Sequence, residues 1–118
     1  MRVCNTNDSL HDILGKPGKP DAPEVSDVKA TSVCLSWSPP KSDGGAPIES
    51  YTVEYKAVSQ FRWLKATDDV TTTKFVVKGI TEGYDYQFRV AATNKAGTGP
   101  FSEPTESVLV KEKIGGYY

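Results

Sequence analysis

Short runs of alternating apolar and polar residues follow one another along most of this chain after residue 20. The apolar positions of these runs are Val25, Val28, Val33, Leu35, Trp37, Tyr51, Val53, Tyr55, Phe75, Val77, Val108 and Val110. Alternation with a period of two places these side chains on one face of a strand. The runs recur about every 8 to 12 residues between turns rich in Pro, Gly, Asp and Asn, which is typical of a β-sandwich or barrel. The pattern predicts an all-β domain of seven antiparallel strands.

The longest run predicts a central sixth strand. Its apolar face consists of Tyr84, Tyr86, Phe88, Val90 and Ala92. Trp63 is expected to anchor a short fourth strand that follows a turn at residues 57–61. Residues 94–100 contain two glycines and a proline, and they predict a turn before the seventh strand.

The length of 118 residues is sufficient for one domain. Residues 1–19 are mostly polar and are predicted to be a disordered leader or linker, residues 20–111 to be the domain, and residues 112–118 to be a C-terminal tail. No apolar run approaches the roughly 20 residues that cross a bilayer, so no membrane association is expected. Cys4 lies in the leader and Cys34 in the second strand, and we expect Cys34 to carry a free thiol on the outward face.

The charges and the candidate catalytic residues exclude several classes of function. Fourteen basic and fifteen acidic residues give a net charge of -1, which disfavours nucleic-acid binding. The only histidine, His11, lies in the leader, where packing cannot hold it against a Ser and an Asp. Asp68 and Asp69 form an acidic pair in a predicted turn, where exposure to water explains the two carboxylates better than acid–base catalysis does. We therefore expect no enzyme activity, metal, cofactor or small-molecule substrate.

Four segments resemble the fibronectin type III domain over about residues 20–111. They are Trp37 near the end of the second strand, the Tyr51-x-Val-x-Tyr55 run, Ile80 six residues before Tyr86, and the Tyr86-x-Phe-x-Val-x-Ala92-x-Asn94 run. Immunoglobulin domains instead place the Trp on the third strand between two bridged cysteines. The resemblance implies a seven-stranded, immunoglobulin-like β-sandwich with a core that contains Trp37, Tyr51, Val53, Tyr55, Phe75, Ile80, Tyr86, Phe88 and Val90. It also implies a tyrosine corner, in which the Tyr86 hydroxyl returns to the backbone near Glu82 or Gly83.

A closer resemblance is to the type III domains of the giant muscle proteins, in the titin, twitchin and myosin-binding protein C class. It is carried by residues 19–23, 38–48 and 94–100 and by Trp63. It implies one structural, protein-binding unit of an intracellular, sarcomeric array of immunoglobulin and type III domains that acts as a scaffold or spring. The alternative is an extracellular type III domain of a cell-adhesion receptor or receptor phosphatase.

Two groups of residues are candidates for a partner surface. Asp43, Gly44, Gly45, Asn94 and Lys95 lie in loops that gather at one pole of such a fold, where a neighbouring module or a filament protein can dock. Their glycines lack the spacing of a phosphate-binding loop. The second group is Trp63 with Phe61, Arg62 and Lys65, in which the Trp serves either as a partner anchor or as packing against its own sheet. The two chain termini are expected to leave from opposite poles.

Overall fold

The computed structural model describes residues 15–111. Within them lie eight strands: β1 (Glu24–Ser26), β2 (Ser32–Ser36), β3 (Ser50–Ala57), β4 (Leu64–Val70), β5 (Lys74–Lys78), β6 (Asp85–Asn94), β7 (Gly97–Thr98) and β8 (Val108–Leu109). The predictions for Cys4, His11 and the rest of residues 1–14, and for residues 112–118, lie outside this range. Nothing between residues 15 and 111 forms a helix of the length and apolarity needed to cross a membrane.

The strands form two antiparallel sheets that pack as a sandwich, which confirms the predicted fold class. One sheet has the order β1-β2-β5, and the other has the order β4-β3-β6-β7, with β8 also paired to β6. The β3–β6 ladder is the longest and runs from Ser50 opposite Thr93 to Ala57 opposite Tyr86. Because β3 spans about 3.3 Å per residue, the loops at its two ends lie roughly 25 Å apart at opposite poles.

The observed strands differ from the predicted ones at several ends. β2 stops one residue before Trp37, whose N–H donates to the Thr73 carbonyl (2.9 Å). Trp63 precedes β4 instead of lying in a strand. The predicted turn at residues 94–100 also contains the two-residue strand β7, which pairs back onto the end of β6.

Tyr84 was expected on the core face of the sixth strand, and this prediction is wrong. β6 begins only at Asp85, and the Tyr84 side chain is 55% exposed. Gly83 has a φ of +95°, so the chain is still turning at that point and the alternation of the strand does not yet apply.

The core lies between the two sheets. Seven of the nine residues expected there are buried, and Tyr55 and Phe75 are partly buried against them. The Trp37 ring stands edge-on to Tyr51, with centroids 5.5 Å apart and an interplanar angle of 67°. The Trp37 Nε1 atom is buried and has no hydrogen-bond partner among the described residues. The indole therefore contributes through packing and the aromatic contact alone.

Tyr86 joins the loop before β6 to the core. Its hydroxyl accepts a hydrogen bond from the Thr81 N–H at 3.0 Å. The partner lies one residue before Glu82, close to the predicted position, and the Gly83 N–H instead donates to the Val110 carbonyl at 2.8 Å. The bond holds the β5–β6 loop close to the beginning of the central strand.

Residues 99–105 run beside β6 without forming a regular strand. The N–H groups of Gly99, Ser102 and Thr105 donate to β6 carbonyls at 2.8–2.9 Å. In the reverse direction, the hydroxyls of Ser102 and Thr105 accept from β6 N–H groups at 3.1 Å. Pro100 and Pro104 prevent regular ladder pairing, so side-chain oxygens take the place of main-chain carbonyls.

The predicted boundary at residue 20 is wrong for residues 15–19. Pro17 is fully buried, and the N–H groups of Gly15 and Gly18 are bonded to the β2–β3 loop. These residues belong to the folded domain because the glycines of two loops leave room for their backbone.

Candidate protein-interaction site

Asn94, at the end of β6, connects three segments at one pole of the sandwich. Its Nδ2 atom donates to the Gly15 carbonyl at 2.9 Å and to the Asp43 carbonyl at 2.7 Å. Its Oδ1 atom accepts from the Ala96 N–H at 2.8 Å. The side chain is 3% exposed. Asn94 was predicted to contribute to a partner surface. In the structure, both polar atoms of its side chain instead form hydrogen bonds within the domain.

Residues 15–18, here called the docked segment, pack against the loops at this pole. The Gly15 N–H donates to the Gly44 carbonyl, and the Gly18 N–H donates to the Ser42 carbonyl, both at 2.9 Å. A Cβ atom at Gly44 would lie 2.2 Å from the Gly15 oxygen, and one at Gly99 would lie 2.0 Å from the Pro17 oxygen. Such contacts are sterically impossible, so glycine is required at both positions.

The docked segment leaves only part of the predicted loop surface exposed. Asp43, Gly45 and Lys95 are exposed, whereas Gly44 is half-buried. The Asp43 Oδ1 atom accepts from the Gly45 N–H at 2.9 Å, so the loop also stabilises its own turn. The surface available to a partner at this pole therefore consists of the loop tips around the docked segment.

Trp63 packs on the outer face of the five-stranded sheet. The Arg89 guanidinium carbon lies 4.3 Å from the centroid of the Trp63 ring and 4.3 Å from that of the Phe101 ring. The Glu54 Oε1 atom accepts hydrogen bonds from Arg89 Nε (3.0 Å) and Nη2 (2.6 Å). Lys56 also approaches the Trp63 ring, at 5.5 Å. The geometry favours packing against the sheet over a free aromatic anchor.

Lys65 and Arg62 have different environments, although the sequence grouped both with Trp63. The Lys65 Nζ atom is 2.9 Å from the Asp68 Oδ2 atom, and both side chains are exposed. The hydrogen bond and the opposite charge raise the pKa of Lys65 and lower that of Asp68. Arg62 instead lines a groove at the opposite pole.

This groove, here called the exit groove, lies between the β3–β4 turn and the β5–β6 loop and has a volume of about 720 Å³. Phe61, Leu64 and Tyr84 line it and are exposed. The sequence analysis named Phe61 and Arg62 as part of a candidate surface but placed Tyr84 in the core, so it identified only one side of this groove. The glycine at position 83 was the signal that the strand had not yet begun.

The residues between 15 and 111 contain no group of three or more His, Cys, Asp or Glu side chains placed to hold a metal ion. Cys34 has a free thiol and is half-buried on β2.

The family profile of the fibronectin type III domain matches residues 18–108. This chain belongs to the fibronectin type III family. The match begins inside the docked segment, in agreement with the packing of that segment on the domain.

This fibronectin type III domain is similar to parts of three longer chains. It is 37% identical over 103 residues to the striated-muscle M-protein of Gallus gallus, covering 86% of this chain and 7% of the relative. It is 38% identical over 97 residues to the human protein named cell adhesion molecule-related/down-regulated by oncogenes, covering 80% of this chain and 7% of the relative. The crystal structure of domains A168–A170 from titin superposes with a TM-score of 0.81 at 40% identity, covering 84% of this chain and 34% of that chain.

Proposed function

We propose that this domain is one link of an intracellular, sarcomeric array of immunoglobulin and fibronectin type III modules. In this role it sets the spacing between neighbouring modules as a scaffold or spring and presents surfaces to filament proteins. The proposal assigns it no catalytic step and no small-molecule substrate.

The observation that carries this proposal is the way the chain enters and leaves the domain. At one pole, the docked segment is bonded to Ser42, Gly44 and Asn94. At the other pole, Val110 exchanges hydrogen bonds with Gly83 and Tyr84 at 2.8 and 3.1 Å. A chain held at both poles transmits position and force along the long axis of the sandwich, as a link requires.

The relatives support a muscle setting for the array. The name of one relative places it in striated muscle, and the titin structure contains consecutive domains. Because this domain spans only 7% of the length of each of the two curated relatives described above, its role is proposed as that of a part within a longer chain.

Localisation of the parent protein tests the proposal. A fluorescent tag on the parent protein in striated muscle cells is expected to give regular cross-striations. A diffuse cytoplasmic signal would contradict the sarcomeric part of the proposal. Labelling of the parent protein by a membrane-impermeant biotin reagent on intact cells would contradict the intracellular part, with a known cytoplasmic filament protein as the control.

An extracellular module of an adhesion receptor is the second candidate. It is favoured by the relative whose name refers to cell adhesion and by the Asn7-Asp8-Ser9 triplet, which fits the Asn-x-Ser/Thr glycosylation pattern. This candidate predicts that peptide N-glycosidase F lowers the mass of the parent protein from cells. An Asn7→Gln variant is expected to abolish that shift if the triplet is used.

A further inference from the structure

The exit groove combines an apolar surface with positive charge. Of the large apolar side chains that are exposed in residues 15–111, three line this groove. Phe61 is fully exposed, Tyr84 is 55% exposed and Leu64 is 49% exposed. A patch of exposed apolar side chains favours contact with another molecule, because its exposure to water is unfavourable.

The charges at the groove indicate which kind of partner segment it can bind. Lys56 and Arg62 line it, and no carboxylate among the described residues does. Arg62 is exposed and forms no ion pair among the described contacts, so its charge is available to an incoming carboxylate. Cations beside an apolar groove complement a segment that carries acidic residues on either side of an apolar one.

The sequence that follows the domain does not match this chemistry. The described chain leaves the sandwich at Val110, whose N–H donates to the carbonyl of Tyr84 at the groove, and the tail at residues 112–118 follows in the sequence. That tail begins with one glutamate and one lysine and follows Lys111, so it brings no excess of negative charge. The charge argument therefore favours a separate protein over the tail.

We propose that the exit groove binds an extended acidic segment of another protein, which inserts one large apolar side chain between the β3–β4 turn and the β5–β6 loop. Phe61 and Tyr84 contact the inserted side chain, and Lys56 and Arg62 pair with the flanking carboxylates. This inference goes beyond the proposed array function, since it concerns the isolated domain and holds in either compartment.

A titration of the ¹⁵N-labelled full chain followed by NMR tests the inference. The probes are two acetylated, amidated hexapeptides, Glu-Glu-Phe-Leu-Glu-Glu and Lys-Lys-Phe-Leu-Lys-Lys. The acidic peptide is expected to shift amide resonances of residues 55–64 and 79–86, and the basic peptide to leave them unchanged. Equal effects of the two peptides, shifts at other residues, or no shifts would overturn the proposal.

Two variants and two matched controls test whether residues of the exit groove contribute to binding of the acidic peptide. Phe61→Ala and Arg62→Glu lie in an exposed turn and are each expected to weaken binding of the acidic peptide about tenfold. Val76→Ala removes an exposed apolar group outside the groove, and Lys41→Glu reverses a charge at the other pole, so both are expected to bind as the parent chain does. Equal losses in variants and controls would contradict a defined groove.

Two further outcomes would assign the groove to a different occupant. If deletion of residues 112–118 shifts the same resonances before peptide is added, the tail occupies the groove. If dilution of the chain alone shifts them, a second copy does. Either result overturns the proposal of a separate acidic partner.

Discussion

The Asn94 side-chain amide donates a 2.9 Å hydrogen bond to the carbonyl of Gly15, 79 positions earlier in the chain. The same amide donates to Asp43, so one buried side chain joins the start of the domain, the β2–β3 loop and the central strand. The pole at which the chain enters the sandwich is thereby organised from within.

Replacing Asn94 with Ala tests this connection. The change leaves two carbonyls and the Ala96 N–H without their partner, and we expect the free energy of unfolding to fall by about 2–3 kcal/mol. Urea denaturation measures the loss, and hydrogen exchange is expected to quicken at the Gly15 and Gly18 amides. The exposed neighbour Lys95→Ala serves as the control and is expected to change stability by less than about 0.5 kcal/mol. Unchanged exchange at both glycine amides would show that Asn94 does not hold the docked segment.

Trp37→Ala is expected to destabilise the domain by about 3–5 kcal/mol through the cavity that it leaves beside Tyr51. Trp37→Phe is expected to cost less, because the Nε1 atom has no hydrogen-bond partner to lose. Thermal and urea unfolding measure both variants. Leu109→Ala, at an apolar side chain that is 44% exposed, is the control. A Trp37→Ala domain with the parent midpoint would refute the core position of the indole.

Tyr86→Phe removes only the hydroxyl that accepts from the Thr81 N–H. The expected loss is about 1–2 kcal/mol, since a partly buried donor loses its partner. Tyr84→Phe is the matched control, because that ring is exposed, and it is expected to be near neutral. The amide exchange of Thr81 is expected to rise in the first variant only. Equal stability of both variants would mean that the corner bond contributes nothing.

Arg89→Lys keeps the positive charge but removes the planar group between Trp63 and Phe101. We expect a loss of about 1–2 kcal/mol, together with a change in Trp fluorescence, because an ammonium group cannot stack on two rings and pair with Glu54 in the same way. Arg62→Lys, in the exposed turn, is expected to leave both observables unchanged. If Arg89→Lys matches the parent chain, charge alone accounts for the role of Arg89.

The presence of the main strands and the identity of most core residues could be predicted from the alternation of apolar and polar residues. The inward positions of β3 and β6 were predicted correctly at Val53, Phe88 and Val90, because burial of one sheet face imposes a period of two on each strand. The ends of the strands were predicted less well. Trp37 and Tyr84 continue the alternation in sequence, yet β2 ends one residue before Trp37 and β6 begins one residue after Tyr84.

The candidate site was predicted only in part, because residues of similar chemical type differ there in burial and in the contacts that they make. Asn94 and Lys95 are adjacent and polar, yet the first is buried and the second is exposed. Trp63 and Phe61 are both aromatic, yet the first packs on Arg89 and the second is fully exposed. These differences depend on which distant segment lies opposite each side chain, and a linear pattern does not contain that information.

The sequence by itself determined the all-β sandwich, its family and most of its core, since these depend on the local period of apolar residues and on the spacing of a few aromatic ones. Only the tertiary structure decided that residues 15–18 belong to the domain, that Asn94 connects one pole and that Phe61 and Tyr84 form an apolar groove at the other. Each of these results from contacts between segments that are far apart in the chain, and their geometry is set when the two sheets pack.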